Sequence, residues 1–95
     1  MNHFNRDLFS NKNILVTGGG TGIGYAISKY FLECGANVII ASRKEEHLQK
    51  SCSELSKIGS CSYKVLDIRD EEKVEGFFNE IKKLDILINN AGGQL

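Results

Sequence analysis

The sequence predicts an α/β fold of the doubly wound type, in which helices cover both faces of a parallel sheet. Three observations predict it: short uninterrupted apolar runs, amphipathic segments between those runs, and a glycine-rich turn after the first run. Strands buried on both faces give such runs, and right-handed crossovers keep the strands parallel. The order β-α-β-α-β-α-β favours strand order 3-2-1-4, with a ligand crevice at the carboxyl ends of the strands.

The front half of the chain supplies two strands and the helix between them. Asn13 to Thr17 (NILVT) predicts the first strand, and Asn37 to Ala41 (NVIIA) predicts the second. Between them, apolar residues recur every three or four positions, which predicts a helix that stops at Gly35. The residues expected on its buried face are Ile23, Ala26, Ile27, Tyr30, Phe31 and Cys34. Ahead of the first strand, Leu8 and Phe9 are expected to dock on the body.

A second helix is predicted directly after the second strand. Ser42 and Glu45 have the spacing of a capping box, which favours Ser42 as the N-cap residue of the helix. The helix is expected to continue until Gly59. Its expected buried residues are Leu48, Cys52, Leu55 and Ile58.

The last part of the chain repeats the same unit. Ser62 to Asp67 predicts the third strand, and Asp85 to Asn89 (DILIN) predicts the fourth. Asp70 is expected to cap the helix between them. The apolar face expected for that helix is Val74, Phe77, Phe78, Ile81 and Leu84.

Charge and composition favour a small-molecule partner over a macromolecular one. Twelve basic residues balance twelve acidic residues, so no overall field attracts nucleic acid or an anionic membrane. No apolar run approaches the length of a membrane span, and Met1 to Lys12 lacks the apolar core of a signal peptide. Cys34, Cys52 and Cys61 are odd in number and form no C-x-x-C pair, so we expect reduced packing residues, no metal site and a cytoplasmic protein.

A glycine-rich segment, Thr17 to Gly24 (TGGGTGIG), lies between the first strand and the first helix. Peptide N–H groups at a helix start, together with the helix dipole, bind phosphate there. The spacing is G-x-x-x-G-x-G, and a P-loop is excluded because Tyr25 stands where its lysine belongs. The alternative is a glycine-rich turn without a ligand, but its position between a buried strand and an amphipathic helix favours dinucleotide binding.

The segments Thr17 to Gly24 and Asn89 to Gly92 (NNAG) together resemble the two amino-terminal signatures of short-chain dehydrogenases/reductases. The resemblance runs from Lys12 to Gly93 and implies a Rossmann fold that binds a nicotinamide dinucleotide. It implies cofactor contacts from the glycine loop at Gly18, Gly19, Gly20, Thr21, Gly22, Ile23 and Gly24. It further implies that Asp67 and Ile68 flank the adenine ring, and that the riboses are lined by Asn90, Ala91 and Gly92. The alternatives are that Asp67 only orders its turn and that the segment after the fourth strand is a simple turn.

The end of the second strand indicates which nicotinamide cofactor is preferred. An NAD site usually carries an acidic residue there, whereas an NADP site carries basic groups for the 2′-phosphate. This chain has Ser42, Arg43 and Lys44, which favours NADP(H) and leaves NAD(H) as the weaker alternative. The competing interpretation is that Ser42 only caps a helix while the two cations are solvated.

Relatives of this family supply a proton through a Ser and a Y-x-x-x-K pair located beyond the fourth strand. Tyr25 and Lys29 have that spacing but stand on the first helix, so we reject them as a catalytic pair. Residues 1–95 are therefore expected to be a partial NAD(P)-binding domain, inactive alone, of an oxidoreductase that is a homo-oligomer at full length. The motifs look most like the enoyl-CoA and dienoyl-CoA reductase branch. 3-Oxoacyl thioester reductases share most of them, and a non-catalytic dinucleotide-binding remnant is the alternative function.

Overall fold

The computed structural model describes residues 7–20, 22–81 and 83–90. Its elements follow one another as β1 Asn13–Thr17, α1 Gly22–Glu33, β2 Asn37–Ser42, α2 Glu45–Leu55, β3 Cys61–Val65, α3 Glu71–Glu80 and β4 Ile86–Asn89. The strands pair in parallel in the order β3-β2-β1-β4. The predicted doubly wound α/β fold and its strand order 3-2-1-4 are thus confirmed.

Two apolar clusters pack on opposite faces of the sheet. Alternate side chains of a strand point to opposite faces, so Ile14 and Val16 enter one cluster while Leu15 enters the other. Helices α1 and α2 cover the first cluster, whose buried members are Ile14, Val16, Leu32, Ala36, Val38, Ile40, Leu48 and Leu55. Helix α3 covers the second, formed by Leu15, Ala41, Leu66 and Phe77. The carboxyl ends of the strands are left at one edge of this sandwich.

Helix α1 is rotated relative to the prediction. Three residues of the predicted buried face are exposed instead: Ile23, Ala26 and Tyr30. Gly24, Ser28 and Leu32 are the buried residues of the helix. The cause is the close approach of Gly24 to the backbone of Gly18, where a Cβ atom would lie 2.0 Å from the carbonyl oxygen. This contact places Gly24, Ser28 and Leu32 against the sheet and leaves Ile23, Ala26 and Tyr30 exposed.

The predicted capping box at the start of α2 is wrong. The helix begins at Glu45, and its cap residue is Lys44, whose side chain makes no capping bond. Ser42 remains in β2, where its carbonyl accepts a hydrogen bond from the Leu66 N–H at 2.7 Å. Its hydroxyl accepts from the Lys44 N–H at 3.2 Å. Pairing with β3 therefore holds Ser42 in the sheet, and the chain turns into the helix only afterwards.

Other predicted element ends differ by a few residues. Helix α2 ends at Leu55, because the following turn contains hydrogen bonds between residues three positions apart, such as Ile58 N–H to the Leu55 carbonyl at 2.9 Å. Ile58 consequently lies outside the helix and is exposed. Strand β3 covers 61–65 and β4 begins at Ile86, since these are the residues that pair with β2 and β1.

Three local predictions are confirmed. Asp70 caps α3, its carboxylate accepting a hydrogen bond from the Lys73 N–H at 3.2 Å. Gly35 ends α1 in the left-handed region with φ 90°. Phe9 docks on the body, where its N–H donates to the Cys34 carbonyl at 2.9 Å, whereas Leu8 is exposed.

The three cysteines are free thiols, and only Cys34 is fully buried. Over the described ranges, no helix combines the length and the apolar character needed to cross a bilayer. Within the same ranges, no group of three or more His, Cys, Asp or Glu residues could hold a metal ion.

Candidate functional site

The glycine loop leaves β1 at the carboxyl edge of the sheet, pressed against β2. Gly18 has φ 69°, and its N–H donates to the Ala41 carbonyl at 2.7 Å. A Cβ atom at Gly19 would lie 2.6 Å from Cγ2 of Ile40. At Gly24 the same atom would collide with Gly18. Gly19 and Gly24 are therefore needed for packing, because any side chain there would overlap its neighbours, whereas Gly18 is favoured by its positive φ.

Gly22 differs from the other loop glycines because it faces open space. It has φ 52°, and a Cβ atom built on it would have nothing within 4 Å. It begins α1, where the first peptide N–H groups have no partner inside the helix. The next residue, Ile23, is 71% exposed. Bare main chain at a helix start is thus open to an approaching anion.

The two sequence motifs meet at the ends of β1 and β4. The Thr17 hydroxyl donates to Oδ1 of Asn89 at 2.9 Å and accepts from the Asn90 N–H at 3.1 Å. The Asn90 side-chain amide lies 3.5 Å from the Gly18 carbonyl oxygen. Thr17 and Asn89 were not among the predicted site residues, although both belong to the motifs. Their hydrogen bonds fix Asn90 beside the loop.

Three predicted site residues cannot be placed in this arrangement. Thr21, Ala91 and Gly92 lie outside the described residues. The other predicted cofactor contacts all lie within them.

The end of β2 carries two exposed cations and no acidic residue. Ser42 is half-buried, whereas Arg43 and Lys44 are exposed. Pairing of Leu66 with Ser42 brings the end of β3 alongside. The positive charges therefore stand at the same edge as the open glycine loop, one strand away.

Asp67 follows β3 and is organised by Arg69. The carboxylate accepts hydrogen bonds from the Arg69 backbone N–H at 3.0 Å and from its guanidinium at 3.0 and 2.9 Å. These hydrogen bonds, together with the charges of Arg69 and Arg43, lower the pKa of Asp67 to about 2. Asp67 is thus a carboxylate of fixed orientation near the cations of β2, and the neighbouring Ile68 is exposed. Arg69 was not predicted as a site residue, and the only sequence signal for its contact with Asp67 is its position two residues further along.

Tyr25 and Lys29 do not form a reactive pair at this edge. Tyr25 is half-buried against the first apolar cluster, and Lys29 is exposed. Their spacing is that of neighbours on one helix.

This edge presents bare peptide groups, an amide side chain, two cations and an oriented carboxylate on four adjacent strand ends. Residues 12–95 match the family model described as short chain dehydrogenase. The chain belongs to the short-chain dehydrogenase/reductase family.

Named relatives and a solved structure extend this family assignment. The chain is 42% identical over 92 residues to a probable 2,4-dienoyl-CoA reductase of Caenorhabditis elegans, covering 90% of this chain and 30% of the relative. It is 40% identical over 91 residues to a 3-oxoacyl-[acyl-carrier-protein] reductase of Chlamydia muridarum, covering 90% of this chain and 37% of the relative. The chain thus spans about a third of the length of these short-chain dehydrogenase/reductase relatives.

The structural comparison agrees with the sequence comparison. The RhlG/NADP active-site complex of Pseudomonas aeruginosa superimposes with a TM-score of 0.79 and 36% identity, covering 90% of this chain and 37% of that chain. Both the predicted Rossmann fold and the predicted family are confirmed.

Proposed function

We propose that this chain is the cofactor-binding part of an NADP(H)-dependent short-chain oxidoreductase. The single observation that carries the proposal is the pair of exposed cations, Arg43 and Lys44, at the end of β2, where an NAD site usually has an acid. One similar structure, the RhlG/NADP active-site complex of Pseudomonas aeruginosa, is a complex with NADP as well. NAD(H) is the weaker ligand in this proposal.

The residues of the edge fit a dinucleotide in three parts. The backbone N–H groups at Gly22 would bind the pyrophosphate, since no side chain fills the space beside them. Arg43 would bind the 2′-phosphate through charge-assisted hydrogen bonds. Asp67 would accept from the adenine amino group, because its orientation is already fixed by Arg69. The remaining loop residues would contribute their backbone, with Asn90 placed beside the ribose.

When bound, the nicotinamide supplies the hydride for the reaction. We propose an enoyl, dienoyl or 3-oxoacyl thioester as the substrate of the full-length protein. The named reductases of Caenorhabditis elegans and Chlamydia muridarum support this choice. The 95-residue chain alone is proposed to bind the cofactor without turnover, since Tyr25, the tyrosine of its one Y-x-x-x-K spacing, packs against the core. In that sense it would act by itself as a dinucleotide-binding module.

Location and assembly complete the proposal. The three cysteines are free, which supports a reducing compartment such as the cytoplasm. We also propose that the full-length form is a homo-oligomer: apolar side chains that this chain leaves exposed, such as Leu87 on β4 at 47%, would be covered by the rest of the protein or by a second subunit.

The test is a titration of the 95-residue chain with NADPH and with NADH by calorimetry. We expect NADPH to bind more tightly than NADH. Arg43→Ala is expected to weaken NADPH binding by about 1.5 to 3 kcal/mol, roughly tenfold to hundredfold, because charge-assisted hydrogen bonds are lost. NADH binding should change little.

Lys50→Ala is the matched control, because Lys50 is an exposed cation on α2. It is expected to leave both dissociation constants close to those of the unsubstituted chain. Tighter binding of NADH than of NADPH would refute the cofactor assignment, and binding of neither would refute the proposed function.

A further inference from the structure

Ser51, a buried residue of α2, reaches the glycine loop. It is 5% exposed, and its hydroxyl donates a hydrogen bond to the carbonyl oxygen of Gly20. The two residues are 31 positions apart in the sequence. A buried hydroxyl is costly without a partner, so this bond satisfies both groups and joins the helix after β2 to the loop after β1.

The backbone of Gly20 rests on the same helix. A Cβ atom at this position would lie 3.5 Å from Cδ2 of Leu48 and 3.6 Å from the His47 carbonyl. Even an added Cβ atom would thus only reach ordinary contact distance, so the Gly20 backbone lies close to the helix beside the Ser51 bond. Two residues further along, Gly22 faces open space. The helix therefore holds the part of the loop next to the proposed pyrophosphate position.

Helix α2, which Ser51 joins to the glycine loop, begins next to the proposed 2′-phosphate position. Helix α2 begins at Glu45, with Lys44 as its cap, so its placement also fixes where Arg43 stands. One NADPH molecule must contact Gly22 and Arg43 at once, and a cofactor of fixed length needs a fixed separation between them.

We infer that Ser51 is a positioning residue that sets the separation between the pyrophosphate loop and the 2′-phosphate site, and thereby supports selectivity for NADPH over NADH. This inference rests on the proposed function. NADH lacks the 2′-phosphate and uses only one of the two anchors, so it depends less on their separation. Loss of the hydroxyl should therefore weaken NADPH more than NADH.

Ser28 offers a matched comparison for a purely structural serine. It is also buried, and its hydroxyl donates to the Gly24 carbonyl at 2.8 Å. That bond stays within α1, between residues four positions apart, and links no two elements. Removing it tests the loss of a buried hydroxyl near the loop without releasing the loop from α2.

The experiment measures NADPH and NADH dissociation constants for the full 95-residue chain and for Ser51→Ala, Ser51→Thr and Ser28→Ala. Ser51→Ala is expected to weaken NADPH roughly threefold to tenfold, the range for one lost hydrogen bond, and to lower the ratio of the NADH constant to the NADPH constant. Ser51→Thr keeps the hydroxyl and should keep the ratio. Ser28→Ala should also keep the ratio.

Thermal unfolding of each variant separates folding from positioning. If Ser51→Ala does not fold, Ser51→Cys replaces it, because a thiol is a weak donor and the same loss of selectivity is expected. An unchanged ratio in the Ser51 variant that lacks a hydroxyl, or an equal fall in Ser28→Ala, would overturn the positioning role while leaving the proposed function intact. Absence of NADPH binding in the unsubstituted chain would instead remove the proposed function, and this inference with it.

Discussion

A single methyl group at Gly24 is expected to disrupt the junction between α1 and the sheet. In Gly24→Ala the new Cβ atom would lie 2.0 Å from the Gly18 carbonyl oxygen, 2.7 Å from its carbon and 2.9 Å from Cα of Gly19. All three neighbours are backbone atoms, so no side-chain rotation relieves the overlap. The helix must retreat from β1 by about 1 Å before even the shortest of these contacts reaches 3.0 Å.

The size of the effect follows from two opposing contributions. Replacing glycine by alanine inside a helix stabilises it by about 0.5 to 1 kcal/mol. Overpacking of a buried contact costs about 1 to 3 kcal/mol, and a clash with backbone belongs at the upper end. We therefore expect Gly24→Ala to lower the free energy of unfolding by about 2 kcal/mol, which lowers the midpoint by roughly 8 to 16 °C in a chain of this size.

Gly76→Ala is the matched control for this change. Gly76 lies inside α3, and a Cβ atom there would have nothing within 4 Å. It should gain the helix contribution alone, about 0.5 to 1 kcal/mol. The assay is thermal unfolding and urea unfolding followed by circular dichroism, with NADPH titration in parallel. Equal unfolding midpoints for the two variants would show that α1 does not pack on the loop as described.

Three further predictions concern individual side chains. The pKa of Asp67 is lowered from 3.8 to about 2, so its stabilising contribution is present above pH 3.8 and is lost as the pH falls toward 2. The free energy of unfolding, measured with urea at several pH values in this range, should therefore fall less steeply with decreasing pH in Asp67→Asn than in the unsubstituted chain. Burial raises the pKa of the Cys61 thiol from 9.0 to about 12, so stability should decline as the pH rises above 9, and less so in Cys61→Ala; an identical decline would contradict this. Asp70→Ala removes the α3 cap and should cost about 0.5 to 2 kcal/mol, whereas Ser42→Ala should cost α2 less, since Ser42 is not its cap; thermal melts of both variants decide.

The local order of the sequence predicted the strands and the place of the glycine loop, and the strand order followed from the known topology of doubly wound dinucleotide-binding sheets. The uninterrupted apolar run Asn13–Thr17 predicts a buried strand, and the glycines directly after it can adopt the positive φ that the turn at Gly18 requires. The Asp70 cap and the turn at Gly35 were likewise predictable, because each depends on bonds within a few residues.

Only the tertiary structure decided how the elements face one another. Periodicity marks which side chains of α1 are apolar, but the contact between Gly24 and Gly18 decides which of them are covered, and it leaves Ile23 exposed. Pairing with β3 likewise kept Ser42 in the sheet, and the bond from Ser51 to Gly20 joins residues that no local pattern connects. Contacts between distant segments depend on how whole helices and strands pack together, and local sequence patterns do not indicate the distances between those elements.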